Sequence, residues 1–179
     1  QPLQRIERAL GDRHCGSFAR ISAHSPREDV IDGANAARSA GADLLVAVGG
    51  GSVIDATKAM LMALWMNLDS PESMEPYRNL IAAAPTQRVQ APPGAIRMLA
   101  VSTTLSASEF TPNAGVTESA THTKQSYSHR LMAPVSVILD PVATLDTPLD
   151  LLFNTAIRAV DHAVESFCSP MANLATEVH

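Results

Sequence analysis

The stretch that most constrains the fold is ADLLVAVGGGSVIDATKA, residues 42–59. Its opening apolar run shows no polar alternation, so it reads as a strand covered on both faces, the mark of a parallel sheet. Apolar residues resume after three consecutive glycines and continue to Met66, giving a helix from Ser52 to about Met66. A strand that enters a helix through glycines lets the backbone pass close to a ligand. The free N–H groups and the helix dipole then favour a diphosphate. Ser52 is a candidate N-cap, with Asp55 completing an acid variant of the capping box. Gly49 and Gly51 fit the start of the usual dinucleotide fingerprint, but its third glycine falls on Ile54, and no Gly-Lys-Ser/Thr follows. The competing reading is a tight turn with no ligand.

Other segments alternate in the same sense. QPLQRIERAL has apolar residues at helical spacing ended by Gly11, and SFARIS then reads as a short strand. REDVIDGANAARSAG gives a helix that starts after Pro26 and stops at Gly41, with Val30, Ala34 and Ala37 on one side. IRMLAVSTT and VSVILDP supply two more strands, separated by a Ser/Thr-rich hairpin or loop. LDSPESMEPYRNL and TQRVQAPPGA read as polar connections with little order of their own. The β-α-β-α order predicts an α/β domain with a parallel sheet between helices. Thr147-Pro148 then opens a helix of different texture, with proline expected at its first helical position. The expected division is an α/β domain over 1–146 and the opening of a helical domain over 147–179.

Composition excludes several classes. A formal charge of −5 gives no general attraction to phosphate backbones, which argues against nucleic acid or an anionic membrane. The longest apolar run, Ala59–Met66, spans eight residues and falls far short of a membrane crossing. Cys15 and Cys168 have no metal-ligand spacing, which fits a reducing, cytoplasmic setting. Both ends of the chain read as cut within helical sequence.

A second chemical motif, STTLSASEFTPNAGVT at 102–117, follows a strand end, where ligands of open α/β sheets collect. Thr103 and Thr104 are the best placed hydroxyls there. Taken with ADLLVAVGGGSVIDATKAM, Lys124, VSVILDP and RAVDHAVES, in that order and spacing, it resembles the iron-containing alcohol dehydrogenase superfamily. The TTLSASEFT wording is most similar to the maleylacetate reductase branch. The resemblance implies a dehydroquinate synthase-like architecture and NADH or NADPH as cofactor, with a homodimer allowed. It assigns Gly49, Gly50, Gly51, Ser52, Asp55, Thr103, Thr104, Lys124 and Thr144 to cofactor binding. A loop histidine, His24, also approaches the cleft in this family. The first ribose-reading strand and the later helices of the family are not matched by this sequence, so the alternative of a non-catalytic nucleotide-binding fragment stands.

The resemblance breaks at RAVDHAVES, 158–166. In metal-dependent members a D-x-x-x-H pair puts a carboxylate and an imidazole one helical turn apart, where both reach one divalent ion. His162 keeps the histidine, but the carboxylate position is Arg158, a permanent cation that repels a metal. Asp161, adjacent to His162, points about 100° away around the helix and is a poor substitute. It either pairs with Arg158 or faces solvent, and Glu165 either orients the imidazole or lies at the surface. A divalent metal is therefore not expected, and if one is bound His162 is its ligand. Arg158 and His162 are the expected catalytic pair for a small dicarboxylate substrate such as maleylacetate. A metal-dependent alcohol dehydrogenase is the alternative.

Overall fold

The computed structural model describes residues 2–79 and 85–168. Its main elements are helices α1 (Pro2–Leu10) and α2 (Arg27–Ser39), strand β1 (Leu44–Gly49), helix α3 (Gly51–Trp65), strands β2 (Arg97–Ser102), β3 (Asn113–Glu118), β4 (Thr123–Ser128) and β5 (Ser136–Ile138), and helix α4 (Leu149–Cys168). The sheet is parallel, with β2 between β1 and β5, and β3 and β4 form a separate antiparallel hairpin. This is the expected α/β arrangement. Among the described residues no helix is long and apolar enough to cross a membrane.

Helix ends follow local chemistry. At the end of α2 the Ala42 N–H donates to the Ala37 carbonyl at 3.0 Å and Gly41 to Arg38 at 3.1 Å, around a Gly41 φ of +63°. That is a Schellman turn, which needs the left-handed residue that glycine supplies without strain. Asn67 does the same for α3 at φ +52°, with Leu68 bonded back to Ala63 at 2.8 Å.

Helix α3 is the centre of the molecule. Ile54 and Leu61, two turns apart, pack on Ala47, Met98 and Ala100 of the sheet. Ala56, Ala59, Met60, Met62 and Ala63 pack the other way, against Val30, Ile31 and Ala34 of α2 and Ala114, Val116 and Tyr127 of the hairpin. A helix apolar on nearly every side has to be buried on nearly every side.

Four expectations fail. SFARIS forms no strand, because no neighbouring strand offers it a ladder. In β1 only Ala47 is fully buried, and Leu44 is 41 % exposed. Among the described residues β1 is an edge strand, and an open cleft of about 390 Å³ lies against Leu44, Leu45, Val46, Ala47 and Val48. The connection after Asn67 is ordered in part: Glu72–Tyr77 is a 3₁₀ helix that buries Met74 and Tyr77. Finally, the first intrahelical bond of α4 runs from Leu152 to the Pro148 carbonyl, so proline precedes the helix and the Thr147 hydroxyl leaves to bond Thr103.

A buried arginine ties three segments together. Arg27, 3 % exposed, donates from Nε to the Tyr127 hydroxyl at 3.1 Å and from its terminal nitrogens to Glu75 at 2.5 Å, Glu118 at 3.3 Å and Gln125. It links the start of α2 to the 3₁₀ helix and both hairpin strands. Arg27→Leu would strand the Tyr127 and Gln125 side chains, while the more exposed glutamates resolvate, so a loss of about 2–3 kcal/mol is expected in urea unfolding.

His129 supplies a pH-dependent element. Its Nδ1 accepts the Leu131 N–H at 3.2 Å and its ring meets Trp65 edge-on at 5.5 Å. Burial, and then the charges of Arg130 and Arg97, hold the imidazole below its usual pKa. The folded state thus favours neutral His129, and its contribution is present above the unfolded pKa of about 6.5 and lost as pH falls through the lower folded value. Thermal unfolding scanned downward from pH 7 should show this loss, and His129→Gln should flatten it.

Candidate functional site

The two motifs singled out in the sequence meet at the carboxyl ends of β1 and β2. The Thr103 N–H donates to the Gly49 carbonyl at 3.0 Å, extending the β1–β2 register past the strands. A Cβ added at Gly50 would lie 2.8 Å from Thr104 Cγ2, and one at Gly51 would lie 3.0 Å from Ser106 Oγ. Gly50 has φ −84° and ψ −170°, which any residue can adopt, so space rather than backbone freedom selects glycine here. No side chain caps α3, and the N–H groups of Gly51, Ser52 and Val53 find no acceptor among the described residues. Beside them Thr104, 5 % exposed, buries a hydroxyl that has no hydrogen-bond partner among the described residues. Free amides, an orphaned hydroxyl and a floor that excludes side chains fit the diphosphate and ribose of a dinucleotide.

The capping box does not form. Ser52 Oγ instead accepts the His24 N–H at 3.0 Å, and the Ser52 carbonyl accepts the Ser25 hydroxyl at 2.7 Å. Both His24 and Ser25 are left-handed, at φ +66° and +53°, and the Thr117 hydroxyl holds the His24 carbonyl at 2.8 Å. Strain of this kind persists only where the surroundings enforce it. Asp55 turns away from the helix start. Its Oδ2 accepts the Gly115 N–H at 3.0 Å, while Oδ1 takes the Ser108 hydroxyl and pairs with Lys58 Nζ at 3.2 Å. Its oxygens are thus engaged by the chain's own donors.

Lys58, wholly buried, was not among the residues the motifs suggested. Burial pulls its pKa down, and the negative charges of Asp55 and Glu109 oppose the shift. The Asp-x-x-Lys spacing was the available signal, since residues one turn apart can pair. Its burial could not be read from that spacing. Glu109, 4 % exposed and with Oε2 unpartnered, was likewise missed.

The remaining residues lie farther out. Lys124 is exposed on β4 opposite Thr117, and a Cβ at Gly115 would sit 2.1 Å from its Cε, so glycine there leaves room for the lysine to cross the hairpin. The Thr144 hydroxyl donates to Pro141 at 2.7 Å, and its carbonyl receives Thr147, whose hydroxyl reaches the Thr103 carbonyl at 2.8 Å. On α4, Thr155 Oγ1 accepts the Leu105 N–H at 3.1 Å. Arg158 lies one turn beyond that anchor and His162 one turn further, both exposed. Among the described residues no ion pair joins Arg158 to Asp161 or Glu165, and Asp161 and Glu165 are exposed.

This arrangement has known counterparts. The family model for "Iron-containing alcohol dehydrogenase" matches residues 1–141. The chain belongs to the iron-containing alcohol dehydrogenase family. Dehydrogenase FUM7 of Gibberella moniliformis is 36 % identical over 178 residues, covering 96 % of this chain and 42 % of that protein. Maleylacetate reductase 1 of Cupriavidus pinatubonensis is 30 % identical over 168 residues, covering 94 % and 38 %. The iron-containing alcohol dehydrogenase of Thermococcus thioreducens superposes with a TM-score of 0.77 at 25 % identity, over 91 % of this chain and 42 % of that one. The chain thus spans about two fifths of the length of the relatives it matches.

The family implies a metal, and the α4 residues do not fit one. One imidazole faces outward with a guanidinium a turn before it, where a second ligand is needed. Among the described residues no three His, Cys, Asp or Glu side chains converge. The dinucleotide loop, in contrast, has the required shape, and Gly50 is the point where it meets Thr104. Gly50→Ala should displace Thr104 and cost about 1–3 kcal/mol of stability in denaturant titration, although alanine suits the backbone.

Proposed function

We propose that the protein is an NADH- or NADPH-dependent reductase of a small dicarboxylate, with maleylacetate reduced to 3-oxoadipate as the model reaction. The observation that carries this reading is Arg158 at the turn before His162, a permanent cation at the position of a metal ligand. A guanidinium binds a carboxylate through two parallel hydrogen bonds, which neither an iron ligand nor a lysine reproduces. Maleylacetate reductases among the relatives, at 30 % and 32 % identity, support the same substrate class. The fungal dehydrogenases FUM7 and ALT3 match at 36 % and 34 %.

Gly50, Gly51 and Ser52 would hold the cofactor diphosphate, and Thr104 would offer its hydroxyl to the nucleotide. When bound, the reduced nicotinamide supplies a hydride to one carbon of the substrate double bond. Arg158 holds a substrate carboxylate and stabilises negative charge that develops next to it. His162 supplies the proton that completes the addition at the neighbouring carbon. The free, exposed thiols of Cys15 and Cys168 accord with a reducing compartment such as the cytoplasm.

In the intact protein, Arg158→Ala should lower kcat/KM for maleylacetate by about 100-fold or more, equivalent to about 3 kcal/mol of lost stabilisation. Chelator treatment should leave turnover unchanged. Activity that disappears with chelator and returns with iron or zinc would replace this reading with a metal-dependent alcohol dehydrogenase. NADH binding without turnover of any dicarboxylate would reduce it to a nucleotide-binding module.

A further inference from the structure

We infer that Lys58 is a positioning residue that sets the spacing between the two cofactor loops, and so controls nucleotide affinity without touching the nucleotide. The inference rests on the dinucleotide reading given above. Its ground is a single buried ammonium, carried on the helix that the glycine loop opens, that reaches the second loop. Lys58 lies on α3, two turns after the glycines, with no exposed side-chain surface. Its Nζ contacts the Ser108 carbonyl at 2.6 Å, the Asn113 carbonyl at 2.7 Å, Ser108 Oγ at 3.0 Å and Thr111 Oγ1 at 3.4 Å. Every one of these acceptors belongs to the segment that follows Thr104.

The geometry makes Lys58 the end-stop of that segment. Asp55 completes the clamp by taking the Ser108 hydroxyl and the first hairpin amide, Gly115 N–H at 3.0 Å. The segment enters the clamp through Ala107, held left-handed at φ +58°. Without an ammonium, the carbonyls of Ser108 and Asn113 have no reason to converge on α3. The segment between Thr104 and Ser108 packs on the glycines by van der Waals contact alone, Thr104 over Gly50 and Ser106 over Gly51. Beyond the Thr103–Gly49 backbone bond, hydrogen bonds from Lys58, with those to Asp55, therefore hold a contact that side-chain packing alone leaves loose. Carrying a charge into this site is costly, since burial opposes it, so packing alone does not account for a lysine here.

Lys58→Met keeps the length and removes the three donors. In the intact protein at a temperature where circular dichroism shows the variant folded, the NADH dissociation constant should rise about tenfold or more. Saturating NADH should restore kcat to within about twofold, and the substrate KM should stay unchanged, a split that general destabilisation does not produce. If Lys58→Met does not fold, Lys58→Gln, which removes the charge but leaves Asp55 a neutral donor, is read the same way. A folded variant with unchanged NADH affinity overturns the inference, as does one that loses kcat at saturating NADH. Failure of both variants to fold also overturns it, because Lys58 then serves the core alone. Absence of NADH binding by the unsubstituted protein would instead remove the dinucleotide reading, before any variant is compared.

Discussion

The structure depends on the burial of helix α3. Its sheet-facing side carries Ile54 and Leu61, and the opposite side carries Ala56, Ala59, Met60, Met62 and Ala63. Each fully buried Ile, Leu or Met side chain is worth about 1.5–3 kcal/mol. Because the helix is gripped from both sides, its first turn has a defined position at the end of β1. The glycines before it are where the chain can lie closest to a bound phosphate. The same burial means that a polar group on α3 needs partners from the chain, which Lys58 and Asp55 find in the 108–115 segment.

Two buried cations organise the loops around this helix, by different means. Arg27 joins α2, the 3₁₀ helix at Glu72–Tyr77 and both hairpin strands through a planar fork with several acceptors. Lys58 gathers carbonyls and hydroxyls around one point. Each ties together elements distant in sequence, Arg27 binding the hairpin to α2 and Lys58 binding the segment before and at its start to α3. Beside the glycine loop, Thr104 buries a hydroxyl without a partner among the described residues.

Helix α4 stands apart in character. Phe153, Ile157, Val160, Val164 and Phe167 are exposed along it, and the bonds Thr147–Thr103 and Leu105–Thr155 anchor its start. Arg158 and His162 therefore extend from the nucleotide loops on a helix rather than on a flexible arm.

Sequence alone determined the elements that rest on local rules. The apolar run into Gly49–Gly51 and the stop at Gly41 were legible, because periodicity and left-handed turns act within a few residues, whereas Arg158 stood out only through the resemblance to a family motif. Tertiary structure decided the rest. SFARIS has strand composition but no partner, and Ser52 and Asp55 have capping-box spacing but better partners elsewhere. The burial of Lys58, Glu109 and Arg27 belongs to the same class. Burial and long-range hydrogen bonding depend on which distant residues arrive at a point, and a residue's own neighbours in sequence carry little information about that.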